Sequence, residues 1–222
     1  MVSPTDRSSA TAATHPADQP HSSNGVARPG RFVVLEGLAG VGKTTIAPLL
    51  AAKLDADLVD TQLPELTQAR RYADGQRSVH VRLHFWMTAN YAVSEVVQRS
   101  LRAGRDVVIE SYFYRTLATH AAMGARQLPP VDWDRAVMPD LAIELTLHEP
   151  LRQRRLAERE PSGRSYYWQE LAERGLATLR EVYDSFNLSP IDTTGLMPAQ
   201  VVNQIQRLLV PRAVLSGATD GR

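Results

Sequence analysis

Eight residues, Gly37-Leu38-Ala39-Gly40-Val41-Gly42-Lys43-Thr44, restrict the possible folds of this chain more than any other stretch. They fit G-x-x-x-x-G-K-[ST], a loop whose backbone amides turn inward around phosphate oxygens. The motif needs a buried strand before it and a helix after it. Here Phe32-Val33-Val34-Leu35 precedes it, and 43–54 follows with Ile46, Leu49, Leu50 and Leu54 on one side. Lysine is otherwise rare: only Lys43 and Lys53 occur among 25 basic residues, so a lysine inside the glycine loop stands out. The glycines Gly37, Gly40 and Gly42, with Val41, Thr44 and Thr45, are expected to hold a nucleoside triphosphate. Lys43 is expected on the β and γ phosphates and the Thr44 hydroxyl on Mg²⁺.

The rest of the chain supplies the frame such a loop requires. Short apolar runs (57–60, 107–109, 141–147, 191–192) alternate with helical patterns (80–103, 114–123, 151–160, 167–186, 199–209). Alternation of this kind gives right-handed βαβ units and a parallel sheet covered on both faces, with ligands at the strands' carboxyl ends. Residues 1–30 are rich in Ser, Thr, Ala, Pro and Gly without periodicity and are expected to be a disordered arm. Residues 31–210 form one domain, and 211–222 a loose tail. The 25 basic and 24 acidic residues leave a net charge of +1, which removes any global electrostatic case for nucleic acid. No apolar run reaches membrane-span length, and without cysteine there is no thiolate chemistry. A cytoplasmic location is the expectation.

A glycine loop of this type serves GTPases, motor ATPases and small-molecule kinases alike. A GTPase calls for N-K-x-D, yet no lysine follows Lys53. A AAA-type ATPase calls for an apolar strand ending in D-E, which is not visible. A short chain with an arginine-rich segment after the fourth strand remains: Arg155, Arg159 and Arg164.

At this point the chain resembles a family. Phe32 to Gly37 followed by Gly40 to Thr45 looks like the opening of thymidylate kinases. Val107-Val108-Ile109-Glu110-Ser111-Tyr112 stands where that family has V-I-x-D-R-Y. Pro139-Asp140-Leu141, the arginines of 155–159, and Ile191 to Gly195 resemble its later blocks. The resemblance implies a three-layer αβα P-loop NTPase fold with a central five-stranded parallel sheet and a small arginine-bearing lid near 155–168. It also implies ATP and Mg²⁺, a small-molecule acceptor such as a nucleotide or nucleoside, no nucleic-acid or membrane partner, and a homodimer.

Roles carry over residue by residue. Lys43, Glu110, Arg159 and Arg164 are the catalytic candidates, with the lid arginines supplying charge that this loop lacks. Arg155 is expected on the nucleotide. Thr44, with Glu110 through water, is expected on the metal. Phe85, Glu110, Tyr112, Arg71 (or its neighbour Arg70) and Arg115 are expected on the acceptor. Phe85 also reads as core, Arg115 as an ordinary helix residue, and Tyr166-Tyr167-Trp168 more readily as packing than as a base platform. His80, His84, His120 and His148 lack metal-ligand spacing.

The departures fall on the acceptor side. Ser111 replaces an arginine that grips the acceptor phosphate, and Ala89 stands where the family reads the base with arginine. Ala39 replaces an acid in the loop, and Gln62-Leu63-Pro64-Glu65 lacks another arginine. The sequence therefore expects a phosphotransferase acting on a nucleoside monophosphate, with thymidylate itself doubtful. A hydroxyl acceptor with Glu110 as base, and a non-catalytic nucleotide binder, are the alternatives.

Overall fold

The computed structural model describes residues 30–158 and 163–209, with the side chains of 163–166 excepted. The expected arm and tail, and Arg159, lie outside the described residues. Strand β1 (Phe32–Glu36) is buried at every position because it lies in the centre of the sheet with helices on both faces. Around it, β2 (Asp57–Leu58), β3 (Val107–Glu110), β4 (Leu141–Thr146) and β5 (Ser189–Asp192) pair in the order β2-β3-β1-β4-β5, all parallel. This is the five-stranded P-loop arrangement read from the sequence.

Pleat alternation sorts the core. Val33 and Leu35 face a cluster with Ile46 and Leu50 of α1 (Lys43–Leu54), Leu179 and Tyr183 of α7 (Leu176–Asp184), and Ile205 of α8 (Pro198–Leu209). Phe32 and Val34 face the other cluster. It holds Leu83, Met87 and Val93 of α3 (Val79–Arg102), and Phe113 and Leu117 of α4 (Phe113–Ala122). The register places Leu35 opposite Glu110, so the loops leaving β1 and β3 emerge side by side at the carboxyl edge.

Three elements differ from the sequence expectation. Helix α2 (Thr67–Gly75) was not expected, because it buries only Ala73 and so carries no apolar stripe to read. Strand β2 stops at Leu58 rather than running to residue 60. The helix expected over 167–186 is two, α6 (Gly163–Arg174) and α7, broken at Gly175. A Cβ on Gly175 would lie 2.1 Å from the Ala122 carbonyl oxygen at the end of α4. Only glycine permits that approach, and the chain turns there to lay α7 along α4.

Gly175→Ala is therefore expected to push α7 from α4 and cost about 1–3 kcal/mol, as overpacking typically does. In thermal denaturation this reads as a fall in Tm of roughly 2–12 °C for a domain of this size. An unchanged Tm would show that the backbone moves aside freely.

Candidate functional site

The glycine loop runs from β1 into α1 with Gly37, Gly40 and Gly42 at φ 124°, 90° and 110°, conformations that side chains resist. Gly37 is also sterically required, since a Cβ there would lie 2.3 Å from the Leu145 carbonyl oxygen. Val41 and Leu38 turn into the core and anchor the loop. Nζ of Lys43 donates to the carbonyls of Gly37 (2.8 Å) and Leu38 (3.0 Å), and Nη1 of Arg115 donates to Gly37 (2.6 Å). Arg115, expected on the acceptor, thus shares the Gly37 carbonyl with Lys43. Helix α1 starts at Gly42 without a side-chain cap, which leaves its positive end to an anion. The cradle fits a polyphosphate.

Beneath the loop, Glu36 is completely buried. It accepts from the Tyr112 amide (2.7 Å) and the Tyr183 hydroxyl (3.0 Å), and that hydroxyl accepts in turn from the Gly37 amide (3.4 Å). Burial pushes the Glu36 carboxyl up from its ordinary pKa, against the lowering effects of the Tyr112 amide and of Lys43.

Thr44 Oγ1 donates to Glu110 Oε2 at 2.9 Å, bringing together the two groups expected on the metal. A hydroxyl and a carboxylate at the rim of a phosphate cradle are hard oxygen donors, and they suit Mg²⁺ with phosphate and water as further ligands. Ser111 follows with φ 69°, left-handed for a non-glycine residue. That strained turn aims the next amide, Tyr112 N–H, at Glu36. The Tyr112 ring, expected against the acceptor, is fully buried among Phe32, Phe113 and Trp133. Its hydroxyl donates to the Val137 carbonyl (3.3 Å), and the residue borders the cavity beyond the loop from the core side.

From α5 (Glu149–Ala157), Arg155 Nη1 reaches the Gly40 carbonyl at 3.4 Å. Arg152 was not singled out from the sequence, and its side chain has 0% exposure. It binds Glu149 (2.7 and 3.0 Å), Glu173 of α6 (2.6 and 2.9 Å) and the Ala39 carbonyl (3.0 Å). Of the other lid arginines, Arg159 and the side chain of Arg164 lie outside the described residues.

Beyond Lys43 and Thr44 opens a cavity of about 370 Å³. Arg82, Trp86 and Asn90 of α3 line it, facing Arg115, Thr116, Thr119 and His120 of α4 and Trp168 of α6. Phe85 and Ala89, where base recognition was expected, face an adjoining chamber of about 110 Å³ that also holds Arg70 and shares Trp86 and residues 60–62 with the large cavity. Arg71 is exposed and lines neither space; Arg70 is the α2 arginine that turns inward, onto Gln62. Burial and the neighbouring Arg82 hold the His120 pKa down at about 3, so its ring is neutral at ordinary pH. Trp168 packs, as expected, and its Nε1 donates to the Asp74 carbonyl (3.0 Å). The sequence reading missed Arg82, Trp86 and Asn90, although their spacing of four marks a single helix face.

A parallel sheet with a lysine-bearing phosphate loop, a Thr–Glu pair at its rim and arginine-bearing helices leaning on the loop defines a P-loop phosphotransferase class of protein. A family model described as an AAA domain matches residues 32–185. A probable thymidylate kinase of Thermococcus onnurineus is 36% identical over 52% of this chain and 66% of its own length. One of Thermococcus gammatolerans is 33% identical over 57% and 70%. The chain thus spans about two thirds of the length of these curated relatives. Thymidylate kinase from Candida albicans shares the fold with TM-score 0.64 at 19% identity, over 82% of this chain and 91% of that one. The chain belongs to this P-loop domain family, as one of its thymidylate kinase-like kinases. Among the described residues no helix is long and apolar enough to cross a membrane.

Arg152 generates a pH signature. Its hydrogen bonds to Glu149 pull that carboxyl pKa down to about 2. A depressed carboxyl stabilises the fold above its unfolded value of 4.5, and the contribution is lost as pH falls through about 2. Arg152→Met is expected to lower Tm at pH 7. Its Tm is also expected to fall less steeply than wild type between pH 4.5 and 2. Parallel Tm–pH curves for the two proteins would remove Arg152 as the cause.

Proposed function

We propose that this protein is an ATP-dependent kinase that transfers the γ-phosphoryl group to the phosphate of a nucleoside monophosphate. The observation that carries the reading is the continuity of one cavity from Lys43 and Thr44 to the Arg82–Trp86–Asn90 face of α3. A donor in the cradle and an acceptor on α3 would share one chamber with no wall between them. The loop amides and Lys43 would hold the triphosphate, and Thr44 and Glu110 would hold Mg²⁺. The metal would supply neutralisation of charge on the phosphate oxygens.

The bond from the γ phosphorus to the ADP oxygen breaks as a bond to the acceptor oxygen forms, so the protein's work is positioning and charge. Arg115, next to Lys43, would take the place of the arginine missing at Ser111. Arg159 and Arg164 would add lid charge over the transferred group, and Arg155 would steady the loop at Gly40. Glu110 receives the Thr44 hydroxyl, which favours its metal-side role over that of a base for a hydroxyl acceptor.

Steady-state kinetics with ATP and a panel of nucleoside monophosphates and nucleosides tests the reading. Turnover is expected with a monophosphate, and Lys43→Ala is expected to abolish it while leaving the fold intact. Turnover with nucleosides alone would move the acceptor to a hydroxyl. Thymidylate lacks the arginines that Ala89 and Ser111 replace. With Arg115 in place of the arginine missing at Ser111, the one charge-assisted hydrogen bond lost at Ala89, about 1.5–3 kcal/mol, puts its kcat/KM roughly one to two decades below an efficient kinase. A value above about 10⁵ M⁻¹s⁻¹ would overturn that expectation.

A further inference from the structure

Arg152 is completely buried where α5 meets the phosphate loop. A buried guanidinium is costly unless its donors are filled, and Arg152 fills every one. Nε donates to Glu149 Oε2 (3.0 Å) and Nη2 to Glu149 Oε1 (2.7 Å), which makes one fork within α5. Nη1 and Nη2 donate to Glu173 Oε1 and Oε2 (2.9 and 2.6 Å), a second fork reaching across to α6. The last N–H, on Nη1, goes to the Ala39 carbonyl of the loop at 3.0 Å. A guanidinium carries five N–H groups, so none is left for a phosphate. Arg180 also donates to Glu149, at 2.8 Å, so two arginines face two carboxylates. The cluster is neutral and saturated, and it offers a nucleotide nothing directly.

What it holds is the loop. Two planar forks fix the guanidinium in its plane and leave one direction for the remaining bond. The loop also lies directly on this residue: a Cβ on Gly40 would meet Arg152 Cγ at 3.2 Å and the Arg152 carbonyl oxygen at 3.3 Å. Across a planar trans peptide the Ala39 carbonyl and the Gly40 N–H point in opposite directions. Drawing that carbonyl onto α5 turns the Gly40 amide away from α5, and Gly40 borders the large cavity.

We propose that Arg152, braced from α6 by Glu173, is a positioning residue that aims the Gly40 amide at the phosphates of the nucleotide and so sets triphosphate affinity without touching it. The inference rests on the kinase reading and deepens its donor half. The other end of α6 is fixed independently. Trp168 Nε1 donates to the Asp74 carbonyl at 3.0 Å, and its ring lies 5.1 Å from the Arg82 guanidinium. Releasing Ala39 therefore leaves that end of α6 in place, and the loss falls on the donor.

The test uses the full chain with Mg²⁺. Arg152→Lys keeps the charge between the carboxylates, but three N–H groups on one nitrogen cannot serve both forks and the Ala39 carbonyl. Glu173→Gln removes the charge of the brace and leaves Arg152 in place. Arg152→Lys is expected to raise KM for ATP about ten-fold and Glu173→Gln about three-fold, with the acceptor KM unchanged. Inhibition by inorganic tripolyphosphate, which carries phosphates and no base, is expected to weaken by the same factors. A helix merely loosened by the substitutions would raise both KM values together, and that result overturns the proposal. It is equally overturned if both variants keep wild-type affinity for ATP and tripolyphosphate, or if the loss is confined to ATP, which would place the effect on the base. If no acceptor turns over, the kinase reading fails, and calorimetric titration with tripolyphosphate decides this inference separately. Binding that weakens in the variants sustains it; binding absent from wild type, or equal in the variants, sinks it. Should Arg152→Lys fail to fold, Glu173→Gln alone gives the decision, since the Glu173 side chain is 24% exposed and tolerates the change.

Discussion

The buried carboxylate of Glu36 is the interaction on which the rest of the site depends. It closes the central strand and gathers three elements that are distant in sequence. The Tyr112 amide fixes where α4 starts after β3, the Tyr183 hydroxyl fixes α7, and that same hydroxyl receives the first amide of the phosphate loop. A buried acid is costly unless its oxygens are filled, so these contacts form together or not at all. The left-handed turn at Ser111 is held in the same arrangement, because it delivers the Tyr112 amide.

Above Glu36 the loop is shaped from outside by cations. The carbonyl of Gly37 receives Lys43 and Arg115, that of Leu38 receives Lys43, that of Ala39 receives Arg152 and that of Gly40 receives Arg155. In a planar trans peptide the carbonyl and the following N–H point in opposite directions. Four successive carbonyls drawn to arginine and lysine therefore turn four successive amides the other way. Arg152 and Arg155 both lie on α5, and Arg152 also grips Glu173 on α6. The loop and the stems of the arginine-bearing segment thus share charges and cannot shift independently.

The donor half of this site was legible in the sequence because it is written in backbone requirements. Glycines at 37, 40 and 42, an apolar strand before them and a helix after them admit one arrangement, and α1 begins and ends where its pattern indicated. The acceptor half is written in side-chain direction, which linear spacing resolves less well. The stripe of Arg82, Trp86 and Asn90 lies one residue out of register with Phe85 and Ala89, and a helix turns by about 100° per residue, so the neighbouring face lines the cavity. The same rotation separates Arg70 from Arg71. Arg152 was hidden for another reason: in a run of charges a buried arginine looks like a solvated one, and only the long-range partner Glu173 distinguishes it.

That division also explains where the chain departs from the thymidylate kinase pattern. Replacing a glycine of the loop would strain the backbone or drive a Cβ into the Leu145 carbonyl, with losses that reach Glu36 and the core. Replacing an arginine on α3 or α4 changes one side chain that faces a cavity and leaves the helix packing intact. Ala89 is itself buried in contact with the small chamber, a position that tolerates a small apolar residue without any polar partner left unmet. Arg82 lies two turns earlier on the same helix, already balanced by Asp74 and braced between two indole rings. An acceptor site on α3, as proposed, can move along its helix while the phosphate cradle stays in place, because only the cradle is bound to the geometry of the sheet.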